Sequence, residues 1–429
     1  MSQLHELCYL KERPITKDEY LPKLKALLKK GIPSTYTLED AEAEQKGEQE
    51  TVQTSTTTPL HIICESIPSD ATLEEESAIL AMIDELFMNG AGWCLTNKNN
   101  ETPGCVLERR GLYGTSYWER IVDAGVRAEI VFRKLEQNNI EFLGEKVVKN
   151  GAVTEKVADD DINEIPELVQ SETIQDMEKE QVRQKEDARK KTQELEDPSK
   201  DLNTYLNTKL TYKEGALVTD SRKDGVMMDW EEKLMKAGCD SLFKSIEDPD
   251  DVNVLNIGFG MGIIDSMIAE KKPTKHYICE AHPDVLKKMK EDGWMDRENV
   301  VVLKGKWQDT LPPLLGQGVF FDGIYYDTYS EHYQDMLELF DLVVGMLKMT
   351  GTFSFFNGLG ADRLVCYDVY KKVVELDLAD YGLRVKYTDI KPPKEALQHK
   401  NEQGSVWKDI RRAYWTCPTY YHPEITFAT

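Results

Sequence analysis

The chain has 429 residues, a formal net charge of −24 and 40% hydrophobic residues, so it is long enough for two or three domains with their own cores. The acidic balance argues against nonspecific nucleic-acid binding, which requires a cationic surface, and favours basic partners. The eight cysteines include no Cys-x-x-Cys pair, and the seven histidines form no cluster with metal-ligand spacing. This usage indicates a reducing compartment without a structural metal. No apolar leader or membrane-spanning run occurs, so we expect a soluble, intracellular protein.

Residues 1–143 carry degenerate repeats. The sequence TPLHIIC at Thr58–Cys64 fits the first-helix pattern of an ankyrin repeat, and a second Thr-Pro pair begins at Thr102. Three helix-like segments end in glycine, at Gly31, Gly90 and Gly125. We therefore predict a small ankyrin-like helical solenoid that docks a protein, with a generic helical bundle as the alternative.

Residues 144–200 are rich in charged side chains and contain few aromatic ones. Segments of this kind bury too little apolar surface to form a compact core. We predict an acidic linker that is helical in part, over 174–195. The remaining residues, 201–429, regain apolar periodicity and form the last predicted domain.

The most informative stretch is VLNIGFGMGIID, from Val254 to Asp265. A buried strand leads into a turn with Gly258, Gly260 and Gly262, and a helix-like pattern follows. The turn matches neither the dinucleotide fingerprint nor the P-loop. Another ligand that is bound over such a turn is S-adenosylmethionine (AdoMet). The alternative is a tight strand–helix connection that binds no ligand.

Further strand and helix signals place this turn in an α/β sheet. The predicted strands are Val252–Ile257, Tyr277–Cys279, Val300–Gly305, Phe320–Tyr329, Gly351–Gly358, Leu383–Asp389 and Arg411–Thr416, and the predicted helices are Gly225–Gly238, Ile263–Ala269, Asp335–Met349 and Lys371–Leu378. Gly258, Glu280, Gly305, Asp327 and Asn357 all fall at carboxyl ends of strands, where such sheets bind ligands. Glu280 is placed to accept hydrogen bonds from ribose hydroxyls, although a solvated residue at a strand end is the alternative. For Asp327 the alternative is a helix N-cap.

Four motifs in order suggest a family. VLNIGFGMGII, YICEAHPDVL, LKGKWQD and FDGIYYDTY resemble guanidinoacetate methyltransferase over residues 201–429. With the ankyrin-like region before it, the chain resembles the type IV (N5) protein arginine methyltransferase family. The resemblance implies a Rossmann-like class I AdoMet-dependent methyltransferase sheet, and AdoMet as the cofactor.

The resemblance also implies residue roles. The residues implied to bind AdoMet are Met227, Met235, Gly258, Phe259, Gly260, Met261, Gly262, Glu280, Gly305, Lys306, Trp307 and Asp327. The residues implied to bind the substrate are Trp230, Glu231, Asp327, Tyr329 and Asn357, with Glu231 and Asp327 as the catalytic pair. Two carboxylates suit this role because a guanidinium is a planar fork of N–H donors that carboxylates bind bidentately. From the residue pattern alone, Glu231 would instead be a solvated residue, and the methionines of its helix would be core residues.

Two departures from the guanidinoacetate enzymes are visible. Asn357 is followed by Gly358-Leu359-Gly360 in place of a Leu-Thr-Ser turn that holds the free carboxylate of the substrate, and Ser330 stands where a proline is common. We therefore expect methylation of the internal (N5) nitrogen of arginine within a protein, with a basic ribosomal protein as the substrate. The expected enzyme is a monomer of the cytoplasm and nucleus that binds neither nucleic acid nor membranes. The alternatives are a small-molecule guanidino methyltransferase and an ankyrin adaptor that binds AdoMet without catalysis.

Overall fold

The structure, a computed structural model, describes residues 2–46, 56–137 and 197–428. The linker predicted over 144–200 therefore lies outside the described residues except for its last four, and the helix predicted over 174–195 lies outside them entirely. In the first two ranges the helices are α1 (Gln3–Cys8), α2 (Lys17–Lys29), α3 (Leu38–Lys46), α4 (Pro59–Ser66), α5 (Leu73–Met88), α6 (Pro103–Arg109) and α7 (Ser116–Gln137). None of the helices in the described ranges is long and apolar enough to cross a membrane.

Both Thr-Pro pairs begin a helix, as the repeat pattern predicts. Thr58 and Thr102 are the N-cap residues of α4 and α6, and a proline follows each one at the first helical position. Proline suits that position because its missing N–H has no partner there in any case. The helical character of the region is confirmed, while its assignment to ankyrin repeats stays a prediction.

The helix end predicted at Gly125 is wrong, because α7 continues to Gln137. Gly125 lies in a tight helix contact, where an added Cβ would come within 2.6 Å of the Val369 side chain and 3.1 Å of Trp93. This glycine is therefore needed for close packing and does not terminate the helix.

A small antiparallel sheet follows helix α8 (Leu202–Asn207). Its strands, in spatial order, are β1 (Leu210–Lys213), β2 (Ala216–Thr219) and β3 (Gly225–Met228). The helix predicted over Gly225–Gly238 is thus wrong in its first part, and α9 spans only Glu232–Leu242 after a 3-10 turn at Asp229–Glu231. Main-chain pairing of β3 with β2 outweighs the helical periodicity of this segment.

The central sheet has seven strands and confirms the predicted α/β class. The strands are β4 (Asn253–Ile257), β5 (Lys275–Glu280), β6 (Val300–Lys304), β7 (Phe321–Tyr326), β8 (Leu347–Phe355), β9 (Leu383–Ile390) and β10 (Tyr420–Phe427), and the helices are α10 (Ile263–Lys271), α11 (Pro283–Glu291), α12 (Trp307–Gly316), α13 (Tyr333–Met346) and α14 (Leu364–Asp380). The spatial order is β6-β5-β4-β7-β8-β10-β9, in which β10 alone runs antiparallel to its neighbours β8 and β9.

The strand predicted at Arg411–Thr416 is wrong, and β10 supplies the last strand instead. Residues of that segment leave the sheet to make separate contacts: Arg411 pairs with Asp224, and the buried Trp415 donates its indole N–H to the Cys417 carbonyl. Arg411, Arg412 and Tyr414 of this segment line one cleft together with Asp327, which follows β7. Because β4 lies between β5 and β7, the strand order reverses beside β4. Doubly wound sheets bind ligands at this point, beyond the carboxyl ends of the strands.

The helical region and the sheet share one apolar core. Trp118 of α7 is fully buried and donates its indole N–H to Asp368 of α14 at 2.9 Å. Arg133 forms an ion pair of 2.7 Å with Asp377 on the same helix. The N-terminal helices are therefore packed against the sheet domain through α14.

Candidate active site

The first cleft lies at the carboxyl ends of β4 to β7 and has a volume of about 580 Å³. Its walls include eight of the twelve residues for which AdoMet contact was expected: Met227, Gly258, Gly260, Glu280, Gly305, Lys306, Trp307 and Asp327. Residues Leu202, Tyr205 and Leu206 from the segment around α8 add apolar surface on one side. Three separate parts of the sheet-domain sequence thus meet at one site.

Two glycines of the turn approach neighbouring residues more closely than a side chain would allow. Gly258 has φ +95°, and a Cβ there would lie 1.9 Å from the backbone carbonyl oxygen of Asp327. Gly260 has φ +54°, and a Cβ there would lie 2.6 Å from the terminal methyl of Met227. Both glycines therefore leave room along the floor of the cleft.

Glu280 is fixed at the end of β5 by the turn that it faces. Its two carboxylate oxygens accept hydrogen bonds from the backbone N–H of Phe259 at 2.9 Å and of His282 at 2.6 Å. Burial raises the pKa of Glu280, while these N–H donors oppose that rise. Each oxygen retains lone pairs that a ligand hydroxyl can use.

Trp307, at the start of α12, is held by a carboxylate that sequence reasoning missed. Its indole N–H donates to Glu331 at 2.8 Å, and the Gln308 side-chain amide donates to the same oxygen at 3.0 Å. The side-chain oxygen of Gln308 is buried and has no hydrogen-bond partner among the described residues. No motif marked Glu331, because the residue acts through contacts with distant parts of the chain.

The second cleft is larger, about 1330 Å³, and joins the first. The two share Val226, Asp327, Thr328 and Tyr329 in their walls. Glu231 lines the second cleft only. Asp327 thus lies where the two spaces meet.

The two predicted catalytic carboxylates lie in different surroundings. Glu231 is buried and accepts a short hydrogen bond from the Tyr414 hydroxyl. Burial and the nearby Asp327 raise the pKa of Glu231 well above its usual range, although the Tyr414 hydrogen bond opposes this. Asp327 is half-buried, and its carboxylate accepts no hydrogen bond from the described residues. Burial, with a smaller contribution from Asp265, raises the pKa of Asp327 to about 7. Both sites therefore favour the approach of a cation.

The outer part of the second cleft carries arginines that already have partners. Arg411 pairs with Asp224 at 2.5 Å and with Asp197 at 3.7 Å. Arg412 pairs with Asp362 at 3.1 Å. Tyr414 follows on the same segment, so these ion pairs help to hold its hydroxyl over Glu231.

Besides Trp230, five of the predicted site residues do not line either cleft. These are Met235, Phe259, Met261, Gly262 and Asn357. Phe259 packs edge-on against Trp294, and Gly262 caps α10 with φ +72° beneath the Phe259 ring. Asn357 instead anchors β10, because its side-chain amide donates to the Tyr421 carbonyl at 3.0 Å. Phe259, Gly262 and Asn357 thus pack behind the cleft walls, and the ligand contacts expected of all five residues stay predictions.

Trp230 is likewise absent from both cleft walls. It packs among Trp407, Tyr414 and Trp415, with ring centroids 5.8 to 6.1 Å apart. Trp230 thus packs behind Glu231 and Tyr414, and the substrate contact expected of it stays a prediction.

The lining of the first cleft fits AdoMet. Glu280 offers acceptors for hydroxyls, Trp307 offers an aromatic wall, and the unpartnered oxygen of Gln308 can accept from an amino group. In the described part of the chain, no group of three or more His, Cys, Asp or Glu residues is arranged to hold a metal ion.

Comparisons with known proteins agree with this site. The family model described as guanidinoacetate N-methyltransferase matches residues 200–370, which include Glu231, Glu280 and Asp327. A protein from Debaryomyces hansenii named protein arginine N-methyltransferase 2 is 54% identical over 439 residues, covering 100% of this chain and 99% of its own. Proteins of the same name from Kluyveromyces lactis and Saccharomyces cerevisiae are 50% and 46% identical, and the matches cover 100% of each chain.

Among solved structures, the O-methyltransferase TomG from Streptomyces achromogenes is 15% identical and has a TM-score of 0.32, with 47% of this chain and 82% of its own covered. Because this TM-score is too low to support a fold assignment, the assignment rests on the strand order described above. The full-length matches, by contrast, are decisive for the family. The chain therefore belongs to the fungal protein arginine N-methyltransferase 2 family.

Proposed function

We propose that the chain methylates the internal (N5) nitrogen of an arginine within a protein, with AdoMet as the methyl donor. The observation that carries the proposal is the junction at Asp327, where the AdoMet-compatible first cleft opens into a second cleft that contains Glu231. AdoMet, when bound, supplies an electrophilic methyl group on a sulfonium sulfur. The chain itself must then hold a guanidinium in one orientation at the junction.

Glu231 and Asp327 are suited to hold that guanidinium. Tyr414 donates to one oxygen of Glu231, which leaves the second oxygen to accept from an N–H donor of the substrate. Asp327 has no hydrogen-bond donor among the described residues and can accept a second N–H. If both carboxylates bind terminal nitrogens, the internal nitrogen is the one left to face the first cleft. Most of the rate then comes from this orientation.

Asp327 also suits the transfer of a proton. Because its pKa is raised to about 7, its carboxylate can take up the proton that the guanidinium loses during the reaction. A carboxyl group with an ordinary pKa would be a weaker base. The proton would then leave through the open second cleft.

The second cleft favours an arginine within a protein over a free acid. Two of its cations, Arg411 and Arg412, are each already paired with carboxylates of the chain. A substrate with a free carboxylate would have to compete for them, whereas a peptide has no such group near its arginine. The acidic chain also favours a basic substrate, and we propose a ribosomal protein that meets a monomeric enzyme in the cytoplasm or nucleus.

The test is mass spectrometry of basic cellular protein incubated with the purified enzyme and isotope-labelled AdoMet. We expect a single methyl on arginine. When fragmentation breaks the bond between the internal nitrogen and the guanidine carbon, the methyl should stay on the side-chain stem, and neither methylamine nor methylcarbodiimide should be lost. The Asp327→Asn variant is the control for label introduced by contaminating enzymes. Dimethylarginine, or a methyl on a terminal nitrogen, would refute the proposed orientation.

A further inference from the structure

Ser330, three residues after Asp327, has an unusual backbone conformation. Its φ is +66°, in the left-handed region that non-glycine residues rarely adopt. Its hydroxyl is buried without a hydrogen-bond partner among the described residues, so the side chain does not account for the conformation. Proline, common here in the resembling guanidinoacetate enzymes, cannot adopt it because its φ is locked near −65°. Strain of this kind persists where the surrounding structure requires it.

The next residue shows what the turn achieves. Glu331 points its carboxylate into a group of donors from two parts of the sheet edge. One oxygen accepts from Trp307 and Gln308 at the start of α12, and the other accepts from the Tyr326 hydroxyl at 2.8 Å and from the Thr328 hydroxyl. A carboxylate with donors on both oxygens has little freedom to move.

These bonds connect two walls of the first cleft. Trp307 and Gln308 stand on the side of β6, whereas Tyr326 and Thr328 immediately flank Asp327 at the end of β7. Without Glu331, the N–H donors of the buried Trp307 and the partly buried Gln308 would lose their acceptor, and the indole ring would lose the contact that sets its rotation. The position of Trp307 is therefore linked to the segment that carries Asp327.

We propose that Glu331, turned inward by the left-handed Ser330, is a positioning residue that holds Trp307 and Gln308 for AdoMet binding and ties them to the Asp327 segment. The inference rests on the proposed function, since it concerns the AdoMet cleft. It assigns no chemical step to Glu331.

The first experiment measures AdoMet affinity by calorimetry. Glu331→Ala should weaken binding about tenfold or more, because charge-assisted hydrogen bonds are lost. Glu331→Gln should restore most of the affinity, since its amide oxygen can accept from Trp307 and Gln308 while the Tyr326 and Thr328 hydroxyls rotate to accept from its NH₂. Glu338→Ala removes an exposed carboxylate from the neighbouring helix α13 and should change nothing.

The second experiment tests the turn and the coupling. Ser330→Gly tolerates a positive φ and should keep AdoMet affinity, whereas Ser330→Pro should lose it to the same degree as Glu331→Ala. In a Trp307→Phe background, which removes the indole donor, Glu331→Ala should have a smaller effect than in the natural chain.

The outcomes separate the two proposals. A natural chain that binds no AdoMet would refute the proposed function. If the natural chain binds AdoMet and Glu331→Ala or Ser330→Pro binds it with equal affinity, only the role of Glu331 is refuted. If Glu331→Ala does not fold, the AdoMet affinities of Ser330→Gly and Ser330→Pro test the role of Glu331 instead, and equal affinities would refute it.

Discussion

Gly258 and Asp327 touch through their backbones. A Cβ on Gly258 would lie 1.9 Å from the carbonyl oxygen of Asp327, far inside van der Waals contact. The turn after β4 and the end of β7 are thereby pressed together, and the carboxylate of Asp327 is placed beside the glycine turn. The glycine turn and the proposed catalytic carboxylate thus depend on one another for position.

Gly258→Ala should therefore damage both stability and AdoMet binding. The alanine has an unfavourable φ, which costs about 1–2 kcal/mol, and it also collides with Asp327. Gly382→Ala is the matched control, because Gly382 has φ +72° but no heavy atom within 4 Å of a Cβ. Thermal unfolding and calorimetry should show a larger loss of Tm for Gly258→Ala, and a loss of affinity in that variant alone. Equal losses of Tm would mean that the collision is relieved at little cost.

A second glycine tests the contact between the helical region and the sheet domain. A Cβ on Gly104 would lie 2.5 Å from the Val365 side chain on α14. Gly104→Ala should lower the free energy of unfolding by about 1–3 kcal/mol, the usual cost of overpacking. Gly316→Ala, with open space around its Cβ, should have no such effect. If urea denaturation detects the same free energy for both variants, the two regions are not packed as described.

The sequence predicted the sheet domain well because its signals are local. Short apolar strands and the glycine turn can be recognised in a window of a few residues, and so can a carboxylate at a strand end such as Glu280. The failures have non-local causes. Gly225–Met228 has a helical apolar pattern but pairs with β2. Asn357 lies at the predicted edge, where its side-chain amide bonds to β10, and its substrate contact stays a prediction.

Two residues of the site had no recognisable signal at all. Tyr414 contacts Glu231 across 183 positions of sequence, and it lies in the segment Arg411–Thr416, for which a strand was predicted. Glu331 is separated from Trp307 by a whole helix and strand. Their contacts depend on the three-dimensional arrangement of segments, which no single-sequence periodicity encodes.

Glu280→Ala should weaken AdoMet binding by about 1–3 kcal/mol, the range for lost hydrogen bonds to a charged group. The variant also removes the acceptor for the Phe259 and His282 N–H groups, so a lower Tm should accompany the loss. Glu298→Ala, which removes an exposed carboxylate near the start of β6, is the control for net charge. Calorimetry that detects unchanged affinity would exclude Glu280 from the ribose site.

Tyr414→Phe should slow methyl transfer about tenfold, since a hydrogen bond to a charged group is removed beside the substrate. The bond lowers the pKa of Glu231, so its loss should move the acidic limb of the pH profile of kcat/KM to higher pH. Tyr381→Phe, which removes a hydroxyl bonded to the remote Leu337 carbonyl, should leave the profile in place. A uniform decrease at every pH would indicate that Tyr414 acts on packing alone.

Asp327→Asn should separate activity from stability. The variant keeps the size of the side chain but loses the charge that binds the guanidinium, so kcat should fall at least about 100-fold. In the natural enzyme, kcat/KM should decline as the pH falls through about 7, because the carboxylate becomes protonated. Residual activity of the variant should lack that decline.

Although Asp327→Asn should lose activity, its thermal stability relative to the natural protein should increase as the pH rises. Because the folded-state pKa of Asp327 is raised from 3.8 to about 7, the folded protein binds this proton more tightly than the unfolded chain. The resulting stabilisation is fully present below pH 3.8 and is lost as the pH rises through about 7. Asparagine does not titrate, so the Tm of the variant relative to the natural protein should rise between pH 4 and pH 8. Asp341→Asn, at an exposed position on α13, should show no such trend. A pH-independent difference in Tm would mean that the carboxylate is already ionised throughout this range.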